Sequence, residues 1–150
     1  MKPLLFSLLA AAMLIASCQN ADKQAPQIAG DFCNCFSKLE KSMSADSKNM
    51  IITASNSAAP EKSLEQGILA LDEENQIRVS QEMIALNDLA NENSELGICM
   101  KKVEKKYENS LTRDKKKFME KVVAEMEAKG TCSLTAAFMR IGLKTGNFDK

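Results

Sequence analysis

Ile28-Ala29-Gly30-Asp31-Phe32-Cys33-Asn34-Cys35-Phe36-Ser37-Lys38-Leu39-Glu40-Lys41-Ser42-Met43 places apolar side chains at Ile28, Phe32, Cys35, Phe36, Leu39 and Met43. Steps of three and four draw one stripe down an amphipathic helix. Cys35 lies within that stripe and Cys33 toward its edge. The same period returns in Leu64, Ile68, Leu71, Val79, Met83, Leu86 and Leu89. It returns again in Leu96, Cys99, Met100, Val103, Tyr107 and Leu111, and in Phe118, Val122 and Met126. No run alternates with period two for long enough to make a strand, so the expected class is all-α.

Capping chemistry sets the expected boundaries. Residues 44–60 are rich in Ser, Ala and Asn around Met50-Ile51-Ile52 and read as the end of the first helix plus a loop. Pro60-Glu61 opens a second helix, because Pro and acids favour a first turn; it reaches about Asn91, with Asp72-Glu73-Glu74-Asn75 as an interruption. Ser94-Glu95 reads as an N-cap and first turn, and Lys129-Gly130 as a C-cap pair. Ser133 caps a last short helix carrying Leu134, Phe138 and Ile141, and the chain frays from Gly142 onward.

Ahead of this domain stands Met1-Lys2-Pro3, a short positive start, then an apolar run from Leu4 to Ile15, then Ala16-Ser17-Cys18. Charged start, apolar centre and small-residue cut site are the parts of a secretory signal. A membrane-spanning helix needs about 20 apolar residues, and this run is shorter. With Cys directly after the small residues, Ile15-Ala16-Ser17-Cys18 resembles the lipobox of a bacterial lipoprotein. That resemblance implies a diacylglyceryl thioether on Cys18, cleavage before it and acylation of the new amino terminus. It covers the first 18 residues and says nothing of the folded domain. Residues 1–17 are then the signal peptide and 18–27, polar and containing Pro26, a flexible tether. Gln19 stands where an acidic residue would mark inner-membrane retention, so the resemblance leans to an outer-membrane anchor facing the periplasm. As a whole the mature chain is similar to small uncharacterised lipoproteins of Gram-negative bacteria.

With Cys18 committed to lipid, Cys33, Cys35, Cys99 and Cys132 remain. Four thiols in an oxidising compartment read as two disulfides. From Cys99 to Cys132 is roughly 50 Å along a continuous helix. Any pairing of the four thiols holds those two residues within roughly 21 Å of each other. The chain therefore has to fold back between them, most plausibly at Asn109-Ser110-Leu111-Thr112, where Ser110 or Thr112 offers a new cap. A Cys33–Cys35 bridge closes a very tight loop and is least favoured. Cys35–Cys99 with Cys33–Cys132 is preferred over the swapped pairing, since Cys35 and Cys99 both lie on apolar stripes. The expected architecture is a small disulfide-stapled antiparallel bundle of about four to five helices over residues 28–143, with 144–150 as a tail.

Composition narrows the function. Histidine and Trp are absent, which removes Ser-His-Asp and Cys-His catalysis and imidazole metal sites. No Gly-rich phosphate loop occurs. The adjacent Asp72, Glu73 and Glu74 read as solvated rather than as an acid–base pair, and no enzyme, cofactor or metal is expected. Met43, Met83, Met100, Met126 and Met139 fall on apolar stripes and read as core filling. Global charge is balanced, and export argues against nucleic acid as a partner.

Locally the charge is segregated. Residues 61–95 hold nine acids against Lys62 and Arg78, and residues 101–121 hold nine bases against Glu104, Glu108, Asp114 and Glu120. The plainer reading is that oppositely charged neighbouring helices orient one another; the sharper one is a basic face for anionic headgroups or an acidic partner. Two functions remain: an envelope interaction or structural protein, held to the membrane through lipid on Cys18 and working through a protein partner, or a periplasmic binder of a small ligand or Cu(I), the latter at Cys33-Asn34-Cys35 with Met residues.

Overall fold

The stripe Ile28, Phe32, Phe36, Leu39 and Met43 is buried along a single long helix, α1 (Leu4–Ser42), and at its end. This computed structural model describes residues 4–89, 91–108, 114–130 and 132–146, with the side chains of residues 4–22 and 87–89 left out. Six helices follow: α2 (Ala45–Asn56), α3 (Pro60–Leu69), α4 (Glu73–Leu89), α5 (Glu95–Lys106), α6 (Lys115–Ala128) and α7 (Ser133–Lys144). All regular structure among the described residues is helical, in seven helices rather than the expected four to five.

The count rises for two reasons. α2 occupies residues expected to be mostly loop; its inner face is Ser47, Ile51, Ala54 and Ser55, half polar, so hydrophobic period alone does not reveal it. Ser44 starts it, the hydroxyl accepting from Ser47 N at 3.3 Å. The expected second helix is divided at Ala70–Asp72, where Asp72 Oδ1 accepts from Asn75 N at 3.0 Å and caps α4. Pro60 stands in the first turn of α3 as expected.

A second difference concerns the expected tether. α1 runs through residues 18–27 without a break, and Ala25 is only 2% exposed. Pro26 sits inside the helix, and its carbonyl accepts from Lys129 Nζ at 3.1 Å. Small Ala25 and Ala29 let neighbouring helices approach, so burial holds a stretch whose own composition does not favour helix. At the far end α7 continues through Gly142 to Lys144, whose Nζ donates to the carbonyls of Ser55 and Ser57 at 2.7 Å each.

Two glycines shape the turns that matter for the cysteines. A Cβ on Gly97 would meet the Asn91 carbonyl at 2.2 Å, so only glycine lets the α4–α5 connection close over the first turn of α5. Ser94 caps that turn, accepting from Gly97 N at 2.9 Å. Gly130, at φ +64°, ends α6 in the left-handed conformation that glycine adopts without strain. The reversal expected at 109–112 falls between α5 and α6; residues 109–113 lie outside the described residues, and the cap of α6 is Asp114, which accepts from Lys117 N at 3.3 Å. Cys132 occupies the N-cap of α7, with Ser133 its first residue.

Helix directions follow from the long-range pairs. α5 is antiparallel to α1, since Glu95 meets Lys38, Cys99 meets Cys35 and Lys106 meets Asp31. α6 runs parallel to α1. Cys132, just beyond it, stands against Cys33, and its buried Phe118, Met119, Val122, Val123 and Met126 share a core with Ala25, Ile28, Ala29 and Phe32. In the opposite direction its start would reach Phe36 and Leu39, which pack instead with Met43, Ile51, Leu134 and Ala137.

Asp31 ties this core to α5. Lys106 Nζ donates to its carboxylate at 2.7 Å and Tyr107 Oη at 2.8 Å. The Lys106 hydrogen bond, helped by that of Tyr107, holds the Asp31 carboxyl below its ordinary range against the opposing effect of desolvation. A depressed folded pKa stabilises above the unfolded carboxylate value, about 4, and that stabilisation fades as pH falls through the folded value. Asp31→Asn is expected to lower the urea midpoint near neutrality, with the gap to wild type narrowing as pH falls below the unfolded carboxylate value; a gap independent of pH would sink this assignment. Separately, the Thr135 hydroxyl is fully buried and has no hydrogen-bond partner among the described residues. Thr135→Val keeps the shape and removes the orphaned group, so thermal melts should show a gain of about 1 kcal/mol.

Candidate functional site

Four of the five cysteines singled out in the sequence converge on the last third of α1. Cys35 is bonded to Cys99 at a Cα separation of 5.7 Å, and Cys33 to Cys132 at 5.8 Å. The first bridge joins α1 to the second turn of α5; the second joins α1 to the turn between α6 and α7. Cys18 lies on α1 with its side chain outside the description.

The bridges differ in their surroundings. Cys132 is only 1% exposed and belongs to the main core. Cys35 and Cys99 are half-buried and form the floor of an open groove of about 410 Å³ between α1 and α5. Leu39 and Leu96 supply its apolar wall, and Asn34, Ser37 and Ser42 its polar rim. Lys38 Nζ and Glu95 Oε2 close over it at 2.8 Å. Each ion shifts the other in the expected sense, mainly through that hydrogen bond: Glu95 is lowered and Lys38 raised. A smaller cavity of about 180 Å³ lies among Ile52, Ser55, Gly130, Ser133, Ala136 and Arg140, where Arg140 pairs with Glu127.

Chemically the groove offers an apolar floor, hydroxyls and one ion pair. Its serine hydroxyls donate to backbone carbonyls, Ser37 to that of Asn34 and Ser42 to that of Leu39, at 2.9 Å each. Among the described residues no group of three His, Cys, Asp or Glu side chains is placed to hold a metal ion. The cysteines proposed for Cu(I) are both engaged in bridges, and Met43, Met126 and Met139 are buried core residues.

Two polar clusters had no signal in the sequence, since their members lie far apart along the chain. One is Asp31 with Lys106 and Tyr107. The other is Glu82, which accepts from Ser44 N at 3.1 Å and Ser44 Oγ at 2.9 Å. Burial pushes the Glu82 carboxyl up, and the hydrogen bonds of Ser47 and Ser44 outweigh it, leaving it below its ordinary value. Among the described residues, one ion pair joins the acidic and basic segments. Glu92 meets Lys101, whereas Glu95 pairs with Lys38 and Lys106 with Asp31, both on α1.

The exposure difference makes a prediction about reduction. A bulky phosphine added to the native protein should free the thiols of Cys35 and Cys99 before those of Cys33 and Cys132, as read by differential alkylation and peptide mapping. Loss of both bridges together would show that global opening, not groove access, controls attack.

No protein-family model matches this chain, and no curated protein or solved structure does either.

Proposed function

We propose that this chain is a lipoprotein held in the cell envelope by acyl chains on Cys18, at the outer membrane facing the periplasm. Its helical domain acts as a non-catalytic interaction or structural module. The anchor rests on the match of Ile15-Ala16-Ser17-Cys18 to a lipobox behind a charged start and an apolar run. Two disulfides in a chain of this size suit an oxidising compartment.

The interaction reading is carried by the α3–α4 arm. Leu69, Ile77 and Ile84 are 67%, 55% and 66% exposed, and Ile77 and Ile84 lie seven residues apart on one face of α4. Large apolar side chains that are this exposed, gathered on one arm, suit contact with another protein. A second reading, a small apolar ligand, is favoured by the groove over Cys35–Cys99.

Cys18→Ala should leave the precursor unprocessed at this site and block incorporation of labelled fatty acid; label entering the variant would remove the anchor. For the module, Ile77→Ser with Ile84→Ser should leave the melting temperature nearly unchanged, since both side chains already face solvent. The same pair should abolish crosslinking from a photoreactive residue on α4. A large loss of stability would instead make these residues part of the core.

A further inference from the structure

Charge is sorted along α1. At the carboxyl end of α1 the α3–α4 arm joins the bundle, Glu82 bonding to Ser44 and Arg78 to Asp46. The segment 61–95 that contains this arm carries a net charge of −7. At the opposite end α6 begins, within a segment, 101–121, of net charge +5. Lys116 and Lys117 are exposed there, with no ion-pair partner among the described residues. The acids that share this end are Glu104, Glu108, Asp114 and Glu120, of which Asp114 is engaged as the cap of α6.

The register between the helices shows what else lies at that end. Cys132 stands against Cys33, and α6 runs parallel to α1. Fifteen residues before Cys132 is Lys117, and fifteen before Cys33 is Cys18. At a rise of about 1.5 Å per residue, the first turn of α6 comes level with Cys18 to within about a turn. The bases therefore gather at the end of the bundle from which the acyl anchor departs, and the acidic arm hangs at the other.

We propose that Lys116 and Lys117 form a second, electrostatic membrane contact, resting on anionic phospholipid headgroups beside the lipid-bearing Cys18. This rests on the anchor reading above. A negative surface attracts juxtamembrane lysines and repels acids within a Debye length. Both forces turn the molecule the same way, with the α5–α6 end down and the face of Ile77 and Ile84 away from the bilayer. Lipid on Cys18 tethers the domain; the lysines orient it.

The test uses the full chain, exported and processed in its host, purified from the envelope and reconstituted in two kinds of vesicle. One is phosphatidylcholine alone, the other equal parts phosphatidylcholine and phosphatidylglycerol. Acetylation by a water-soluble amine reagent is followed residue by residue. On the anionic vesicles Lys116 and Lys117 should react about fivefold more slowly than on neutral ones, with Lys41 and Lys62 unchanged and the difference lost in high salt. Equal reactivity on both vesicles overturns the proposal, as does protection of Lys41 and Lys62 instead. Failure to float with the neutral vesicles would remove the anchor itself and the proposal with it. Flotation with unaltered lysine reactivity would remove the lysine contact alone.

Discussion

Two cysteines separated by one residue on a helix point about 200° apart around its axis. Cys33-Asn34-Cys35 therefore cannot staple one neighbour twice; it reaches to either flank of α1. Cys35 takes the start of α5 and Cys33 takes the turn that ends α6. Most of the remaining architecture depends on this. α5 must approach with its second turn level with Cys35, which requires the close packing of Asn91 over Gly97. α6 must finish level with Cys33, which needs the left-handed Gly130 to bring Cys132 back to α1. Each bridge restricts the unfolded chain by an amount worth about 2–5 kcal/mol, a large part of the net stability of a domain this size.

That division also explains which parts of the fold were legible in the sequence. Stripes whose inner face is uniformly apolar, as in α1, α5 and α6, announce themselves through period alone. Ser94, Pro60 and Gly130 do so through capping chemistry. α2 does not, because Ser47 and Ser55 fill buried positions where a methyl-bearing side chain would make the stripe visible. The polar stretch before Ile28 is misread for a related reason. Among its described side chains the contribution to the core is one methyl group, that of Ala25, while its proline and charges dominate any local score. The cysteine pair on α1 was legible as a site because its meaning is geometric. The clusters around Asp31 and Glu82 were not, since each joins residues dozens of positions apart that carry no common pattern.

Covalent and apolar forces are unevenly distributed. α1, α6 and α7 share a continuous core from Ala25 to Leu143, and the bridge to Cys132 lies inside it. Among the described residues α3 and α4 contribute little to either core: Pro60 and Val79 are buried, with Leu64, Met83 and Leu86 half-buried. Both helices lie within the loop that Cys35–Cys99 closes. Their ends are thus pinned while their faces stay free. A segment so constrained can open locally without unfolding the bundle, because few buried contacts oppose it and the bridge limits how far it can travel.

On the interaction reading proposed above, such an arm costs less to order than a free loop would. Binding must offset the ordering of whatever moves, and a pinned arm has less freedom to lose than a free loop of the same length. Its apolar side chains are spaced by seven residues, which lets one partner helix or ridge cover Ile77 and Ile84 together. Around them Glu73 and Glu74 stay exposed, favouring a partner whose apolar residues are flanked by bases. The same acids disfavour self-burial of the arm against an anionic bilayer. The stapled half of the molecule meets that arm at the end of α1, where Glu82 bonds to Ser44 and Arg78 to Asp46.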